Sequence, residues 1–119
     1  MTHLFVYGTL KRGCKNHVQI AGQTYVGEAR TTAGYRLYSL GSYPGMVTDA
    51  TDTAGVTGEV WSVDDHALVH LDDFEGVHED LYHRERVTLA APFAETDVHT
   101  YLYAGSVAER PQLGVTWVE

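Results

Sequence analysis

The stretch LFVYGTLKRG, from Leu4 to Gly13, is the one around which we expect the fold to be organised. Its apolar run predicts a buried strand, and the glycine and threonine at positions 8 and 9 end that strand. Backbone N–H groups left unpaired at such a break form a concavity that binds anions. Lys11, Arg12 and Lys15 follow closely and add positive charge to it. The stretch therefore predicts either a ligand cradle or an ordinary solvated turn.

The length and composition of the chain indicate one globular domain. Its 119 residues are 44% hydrophobic, contain three prolines, and include no low-complexity tract or internal repeat. A chain of this length builds one hydrophobic core and is too short for two separate domains. We therefore expect residues 1–119 to form a single domain.

The charge balance and the cysteine content narrow the classes of partner and compartment. Sixteen acidic residues against eight basic ones give a formal net charge of −8, which repels nucleic acid and anionic lipid. We see no secretory leader and no apolar run long enough to cross a bilayer. The one cysteine, Cys14, cannot form an internal disulfide, which fits a reducing compartment. We expect a cytoplasmic protein, monomeric or weakly dimeric, with neither nucleic acid nor membrane as a partner.

Turn residues and periodicity predict short elements in the first half of the chain. Asn16, followed three positions later by Gln19, resembles a weak capping box and predicts a short helical turn. Two or three short strands are expected between residues 23 and 47. The alternating segment VTGEVWSV, residues 56–63, predicts a further strand whose two sets of side chains face opposite sides.

The second half of the chain predicts one helix and two more strands. Asp64 or Asp65 is a good N-cap for a helix that ends near Phe74, and Gly76 is a typical left-handed terminator. The tail after position 113 forms a last short strand or lies over the surface. The further strands are expected at Leu81–Leu89 and Val98–Gly105. Many short strands with few helices predict an α+β domain with a curled, largely antiparallel sheet.

Glu75 is an acid in an unusual position on the predicted helix. On a helical wheel it falls beside Leu71 in the apolar arc, whereas Asp73 faces the opposite side. A carboxylate directed at the core is costly unless it is paired or lines a pocket. Burial and the helix C-terminus would both raise its pKa toward neutrality, as proton transfer requires. Two interpretations stay open: a general base or acid, or an ion pair with Arg84 or Arg86.

Other groups that could carry chemistry give weaker signals. Glu59 lies inside a strand, where a structural salt bridge is its expected use. Cys14 and His17 could form a nucleophile and its base, but no orienting acid is near them in the sequence. His66 and His70 have a zinc-ligand spacing without a third ligand, so we expect solvated histidines and no metal site. The segment YGTLKRG matches neither nucleotide-binding glycine motif, so no nucleotide cofactor is expected.

Several of these segments together resemble a known group of enzymes. FVYGTLKRG, GEVWSVD, LDDFEG, LYHRERV and TYLYAG occur in the order found in the gamma-glutamylcyclotransferase-like superfamily. The opening motif followed by Asn16 and His17, with LDDFE and then LY-x-R, most resembles its gamma-glutamylaminecyclotransferase branch. The resemblance implies an α+β fold built as a small mixed, largely antiparallel β-barrel flanked by short helices.

The resemblance also implies a reaction and a set of site residues. In this family the α-amine of a γ-glutamyl group attacks its own γ-carbonyl, which gives 5-oxoproline and a free amine. An intramolecular reaction of this kind requires no enzyme nucleophile, metal or cofactor. Glu75 would be the general base and acid. The residues implied to bind the small-molecule γ-glutamyl substrate are Tyr7, Gly8, Thr9 and Leu10 through their backbone, and Tyr82, Tyr43 and Pro44 as pocket walls.

Two other functions compete with the cyclotransferase hypothesis. The first is a non-catalytic module that binds γ-glutamyl compounds or 5-oxoproline and has lost turnover. The second is a thiol hydrolase that uses Cys14. The presence of Glu75 argues against the binding module, because binding alone has no need of a carboxylate placed for proton transfer.

Overall fold

A computed structural model describes residues 1–119. It contains one α-helix, α1 (Asp65–Phe74), and two short 3₁₀ segments, His17–Gln19 and Val77–Glu79. No helix is both long enough and apolar enough to cross a membrane. The strands are β1 (Thr2–Val6), β2 (Thr24–Arg30), β3 (Tyr35–Ser39), β4 (Pro44–Thr48), β5 (Thr57–Val63), β6 (Tyr82–Val87) and β7 (Val98–Tyr103).

The opening strand β1 is the central strand of a five-stranded sheet. The strand order is β2–β5–β1–β7–β6, and β3 and β4 form a separate hairpin. β1 pairs with β7 in parallel and with β5 antiparallel, and the other pairs are antiparallel. The α+β class and the largely antiparallel sheet predicted from the sequence are confirmed.

The sheet does not close into the expected barrel. Its edge strands, β2 and β6, meet only beyond their ends, where Thr31 and Leu89 form one isolated bridge. Hydrogen bonds from Thr32 N to the Thr88 carbonyl oxygen (3.0 Å) and from Ala90 N to the Arg30 carbonyl oxygen (2.8 Å) flank that bridge. Because no further ladder joins the two edges, the sheet is curled but open.

Alternation along β1 and β5 buries both faces of the sheet. Leu4 of β1 and Trp61 of β5 pack in the cluster that includes Leu71 of α1. Phe5 and Val60 pack in the opposite cluster, toward the β3–β4 hairpin. Since successive side chains of a strand point to opposite faces, a strand apolar at every position belongs between two layers. The two-sided pattern predicted for residues 56–63 is confirmed.

The ends of α1 follow the predicted signals. The Asp64 side chain accepts a hydrogen bond from Ala67 N at 2.7 Å, as an N-cap does. Gly76 adopts the left-handed conformation, with φ of 69°, just past the last turn. Glu75, which lies between Phe74 and Gly76, is the C-cap residue of α1. Its N–H donates to the Leu71 carbonyl oxygen at 2.9 Å. The helix end thereby fixes the backbone from which the Glu75 side chain extends.

The capping box predicted at Asn16 is wrong. The segment forms a 3₁₀ turn of three residues without a side-chain cap. The Asn16 side chain instead donates to Thr9 Oγ1 at 3.0 Å, and Gln19 Oε1 lies 2.6 Å from His70 Nε2. Partners distant in sequence therefore take the polar groups that the motif would have used locally.

The last two strands and the tail also differ in extent from the sequence prediction. β6 begins one residue later and ends two residues earlier than expected, although Leu89 still pairs with Thr31, and β7 ends two residues earlier than expected. Residues 114–118 form no strand and lie over the surface, one of the two alternatives considered. The Val115 carbonyl oxygen accepts from Thr57 N at 2.7 Å, and Trp117 packs against the core.

Gly58 is a point where the sheet leaves no room for a side chain. A Cβ there would lie 2.4 Å from the Val6 carbonyl oxygen and 2.8 Å from the Phe5 ring. We expect Gly58→Ala to lower the free energy of unfolding by about 1 to 3 kcal/mol, measured by urea denaturation. The control is Gly22→Ala, where a Cβ meets nothing within 4 Å. Equal effects of the two substitutions would contradict the packing argument.

Candidate active site

All eight site residues implied by the family resemblance line one cavity. Its volume is about 290 Å³, near the lower end of the range for small-molecule sites. It lies between the end of β1, the β3–β4 hairpin and the end of α1. The nominated residues that line it are Tyr7, Gly8, Thr9, Leu10, Tyr43, Pro44, Glu75 and Tyr82.

The loop Tyr7–Leu10 offers a row of free backbone donors. Neither a backbone carbonyl nor a side chain of the protein accepts from the N–H groups of these four buried residues. Two of their carbonyl oxygens do accept hydrogen bonds from the backbone: Gly8 accepts from Lys11 N (3.2 Å) and Thr9 from Asn16 N (3.0 Å). Since buried N–H groups are almost always paired, four successive free ones mark a place for a ligand acceptor.

Gly8 is required by close packing and not by an unusual backbone conformation. A Cβ at this position would lie 2.7 Å from Pro44 Cγ. Pro44 is itself held by its carbonyl oxygen, which accepts from the Tyr82 hydroxyl at 2.6 Å. A larger residue at position 8 would push the cavity wall outward.

The hydroxyl groups of the two buried tyrosines serve the framework. The Tyr7 hydroxyl donates to the Tyr101 carbonyl oxygen (2.6 Å) and accepts from Met46 N (3.1 Å). Burial raises the pKa of both Tyr7 and Tyr82 well above the ordinary tyrosine value. Both therefore stay neutral, and they shape the cavity without acting as bases.

Glu75 has no partner within the protein. No hydrogen bond or ion pair holds its carboxylate, because the two expected arginines are occupied elsewhere. Arg84 Nε lies 2.9 Å from Asp72 Oδ1, and Arg86 Nε lies 3.5 Å from Asp97 Oδ1. The alternative of a Glu75 ion pair with either arginine is therefore wrong.

Burial raises the pKa of Glu75 to about 7. Desolvation disfavours the charged form, and no cation nearby offsets it. A carboxyl group with this pKa exchanges its proton readily near neutral pH, as a general base or acid must. The single acidic group on the cavity wall therefore has the protonation chemistry that the helical pattern indicated.

Asp72 holds the end of α1 beside the cavity, and the sequence did not indicate this role. Besides pairing with Arg84, it accepts from the Tyr101 hydroxyl at 2.8 Å, and Tyr101 lines the cavity. Asp72 precedes Glu75 by one helical turn, so these contacts anchor the end of α1 to β6 and β7. The adjacent acids in LDDF were the available signal, but which strand residues they meet depends on the fold.

The cluster of positive charge expected beside the opening loop is not assembled at the cavity. Arg12 Nε pairs with Glu59 Oε2 at 3.1 Å, and its guanidinium stacks 3.7 Å from the Tyr25 ring centroid. Lys11 Nζ donates to the Trp117 carbonyl oxygen at 2.7 Å. Only Lys15 of the three lines the cavity. The structural salt bridge predicted for Glu59 is confirmed.

Cys14 and His17 do not form a catalytic pair. His17 Nδ1 lies 2.9 Å from the Leu10 carbonyl oxygen, and its ring lies 5.3 Å from that of Trp61. Cys14 does not line the cavity, and burial raises its pKa, which is opposite to the shift that activates a thiol. No group of three His, Cys, Asp or Glu side chains is gathered with the geometry to hold a metal ion.

Comparison with known proteins agrees with this fold. The family model described as "Gamma-glutamyl cyclotransferase, AIG2-like" matches residues 4–119. The chain belongs to this family.

Individual relatives and structures support the same family. A provisionally named gamma-glutamylcyclotransferase of Vibrio cholerae is 40% identical over 102 residues, covering 85% of this chain and 84% of that protein. The gamma-glutamylaminecyclotransferase of Rattus norvegicus is 39% identical over 83 residues, covering 64% of this chain and 56% of that protein. The crystal structure of an AIG2-like protein from Mus musculus has a TM-score of 0.76 at 29% identity and covers 95% of this chain and 86% of that one.

The raised pKa of Glu75 predicts a pH-dependent stability cost. Its pKa is about 7 in the fold against 4.5 ordinarily, so ionisation opposes folding increasingly as pH rises through that interval. We expect Glu75→Gln to raise the free energy of unfolding by on the order of 2 to 3 kcal/mol at pH 8. At pH 4, where both states hold the proton, this gain is absent.

Urea denaturation at the two pH values measures the difference, with Asp73→Asn as the control. Asp73 is an exposed acid on the same helix and does not line the cavity. Its substitution should change stability little at either pH. A gain for Glu75→Gln that is the same at pH 4 and pH 8 would contradict the assigned pKa.

Proposed function

We propose that the protein is a γ-glutamyl cyclotransferase that acts on γ-glutamyl amines or γ-glutamyl amino acids. The substrate is a small molecule, and the products are 5-oxoproline and a free amine. The observation that carries the proposal is an unpaired carboxyl group, Glu75, with a pKa of about 7 on the same cavity as four free backbone N–H groups. The named activities of the relatives support the same reaction.

The reaction needs a folded substrate more than it needs reactive enzyme groups. Its nucleophile and electrophile belong to one molecule, so holding the glutamyl chain bent supplies a large effective concentration. The buried walls at Pro44 and Tyr82 restrict the volume in which the chain can bend. The protein then has to supply a base, stabilisation for the oxyanion and a proton for the leaving group.

Glu75 and the Tyr7–Leu10 loop provide these functions in the proposed sequence of steps. Ionised Glu75 takes a proton from the α-ammonium, and the freed nitrogen forms a bond to the γ-carbon. The carbonyl oxygen becomes an oxyanion, which the backbone N–H groups stabilise. The bond to the leaving nitrogen breaks as Glu75 returns the proton to it. The ring nitrogen releases a second proton, which the freed amine takes up as it becomes an ammonium ion.

The decisive experiment is 5-oxoproline release from a panel of γ-glutamyl amines and γ-glutamyl amino acids. We expect the wild type to release it and Glu75→Gln to lower kcat at least about a hundredfold, because proton transfer is lost. Asp73→Asn, which alters an acid outside the cavity, should retain activity. Full turnover by Glu75→Gln would show that the base is assigned wrongly.

The same assay separates the competing functions. Saturable binding of 5-oxoproline without product from any compound would favour the non-catalytic binding module. Release of glutamate in place of 5-oxoproline, abolished by alkylation of Cys14, would favour the thiol hydrolase, whereas the cyclotransferase should be unaffected by the alkylation because Cys14 lies outside the cavity.

The pH dependence of kcat/KM tests the role of Glu75 independently of substitution. A general base must be ionised in the free enzyme, so kcat/KM should rise with pH through about 7 and then level off. Rates between about pH 5 and about pH 9 would reveal this limb. A profile that is flat through neutrality would contradict the role of Glu75 as the base.

A further inference from the structure

The residues that line the cavity are buried at its deep end and exposed to solvent at its mouth. The loop Tyr7–Leu10, Pro44 and Tyr82 are buried and form the deep end. Lys15 and Ser42, which also line the cavity, are exposed. The four residues with free N–H groups belong to this deep end, so the proposed function puts the reacting glutamyl head there. Whatever is attached to its γ-carbonyl then extends toward the exposed rim.

Lys15 gives the rim a positive charge, although the nearby Glu119 carboxylate, which does not line the cavity, accepts a hydrogen bond from Lys15 N at 2.7 Å. Lys15 is the only cationic side chain on the cavity wall. Its ammonium donates to the Ser42 carbonyl oxygen, across the mouth, and forms no salt bridge with a carboxylate. An ammonium group has three donors, so two remain for a ligand.

The rest of the rim is apolar and more exposed than such side chains usually are. Tyr43 is 36% exposed, Phe74 39% and Leu81 38%, and all three line the cavity. They come from three different segments, the β3–β4 turn, the end of α1 and the residue just before β6. A ligand that covered them would remove apolar surface from water.

We propose that this rim selects substrates whose leaving group is an amino acid with an apolar side chain. The carboxylate of the leaving amino acid pairs with Lys15, and its side chain packs against Tyr43, Phe74 and Leu81. This inference rests on the proposed cyclotransferase function and makes Lys15 and the apolar rim specificity-determining residues. Simple amines lack the carboxylate, and small or charged amino acids leave the apolar rim exposed.

A matched pair of substrates isolates the contribution of the carboxylate. γ-Glutamylphenylalanine and γ-glutamylphenethylamine differ only in the carboxylate of the leaving group. We expect the wild type to prefer the phenylalanine compound, and Lys15→Met to lower kcat/KM for that compound about threefold to tenfold while leaving the other unchanged. Lys15→Arg should restore most of the preference. Arg110→Met makes the same change in net charge on an exposed residue outside the cavity and should leave the preference intact.

A second pair of substrates isolates the apolar contact. γ-Glutamylphenylalanine and γ-glutamylglycine share both carboxylates and differ in the side chain. Phe74→Ala should lower kcat/KM for the phenylalanine compound about threefold to tenfold and change that for the glycine compound little. The control, Val69→Ala, removes an exposed apolar side chain from the same helix but outside the cavity, and should change neither.

The outcomes separate failure of this inference from failure of the proposed function. If Lys15→Met lowers both members of the first pair equally, Lys15 binds the glutamyl head, and the inference is overturned while the cyclotransferase stands. Absence of any preference in the wild type also overturns it. If no compound yields 5-oxoproline, the proposed function fails. The preference of the rim can then still be measured by calorimetric titration of the Glu75→Gln variant with γ-glutamylphenylalanine and with γ-glutamylphenethylamine. Equal binding, or no binding, of that pair overturns the inference there too.

Discussion

Strand β1 is hydrogen-bonded on both edges and buried on both faces, and the rest of the structure depends on this constraint. Because β5 and β7 fix its direction, the chain leaves the sheet at Tyr7 with little freedom. The carbonyl oxygens of Gly8, Thr9 and Leu10 in the next turn are hydrogen-bonded within the fold, whereas the N–H groups of Tyr7–Leu10, on residues that line the cavity, have no partner in the protein. Because β1 is held on both sides, the start of the loop Tyr7–Leu10 is held in place as well, although the loop has no regular secondary structure.

The carboxylate opposite that loop depends on a different set of contacts. α1 ends at a left-handed glycine, and Asp72 attaches its last turn to β6 and β7 through Arg84 and Tyr101. Glu75 can remain without a partner because these neighbours fix the backbone that carries it. The packing of the whole domain offsets the free-energy cost of desolvating Glu75. Such an arrangement is common at sites that carry out proton transfer.

Features coded by neighbouring residues were predictable from the sequence, and features coded by distant pairs were not. β1, the bounds of α1 and the inward position of Glu75 follow from local periodicity and capping signals. The partner of Arg84 lies 12 residues away and that of Arg12 lies 47 residues away, so both required the fold. The open edge of the sheet was missed for the same reason, since whether β2 meets β6 depends on the curvature of the whole sheet and on no single motif. The nominated site residues do share one cavity, although their roles remain predictions.

The cavity wall at Pro44 belongs to a hairpin that lies outside the main sheet, whereas the donor loop and Glu75 are fixed by the sheet and its helix. The contacts of Pro44 with Gly8 and Tyr82, the hydrogen bond from Met46 N to the Tyr7 hydroxyl and the packing of the hairpin against the sheet join these two parts. The entrance to the cavity is shared between the two parts, because Tyr43 belongs to the hairpin turn whereas Phe74 lies beside Glu75 at the end of α1. Insertions in the hairpin turn can therefore reshape one side of the entrance while the loop Tyr7–Leu10 and Glu75 keep their geometry, whereas a change on the helix side alters the entrance next to Glu75 itself.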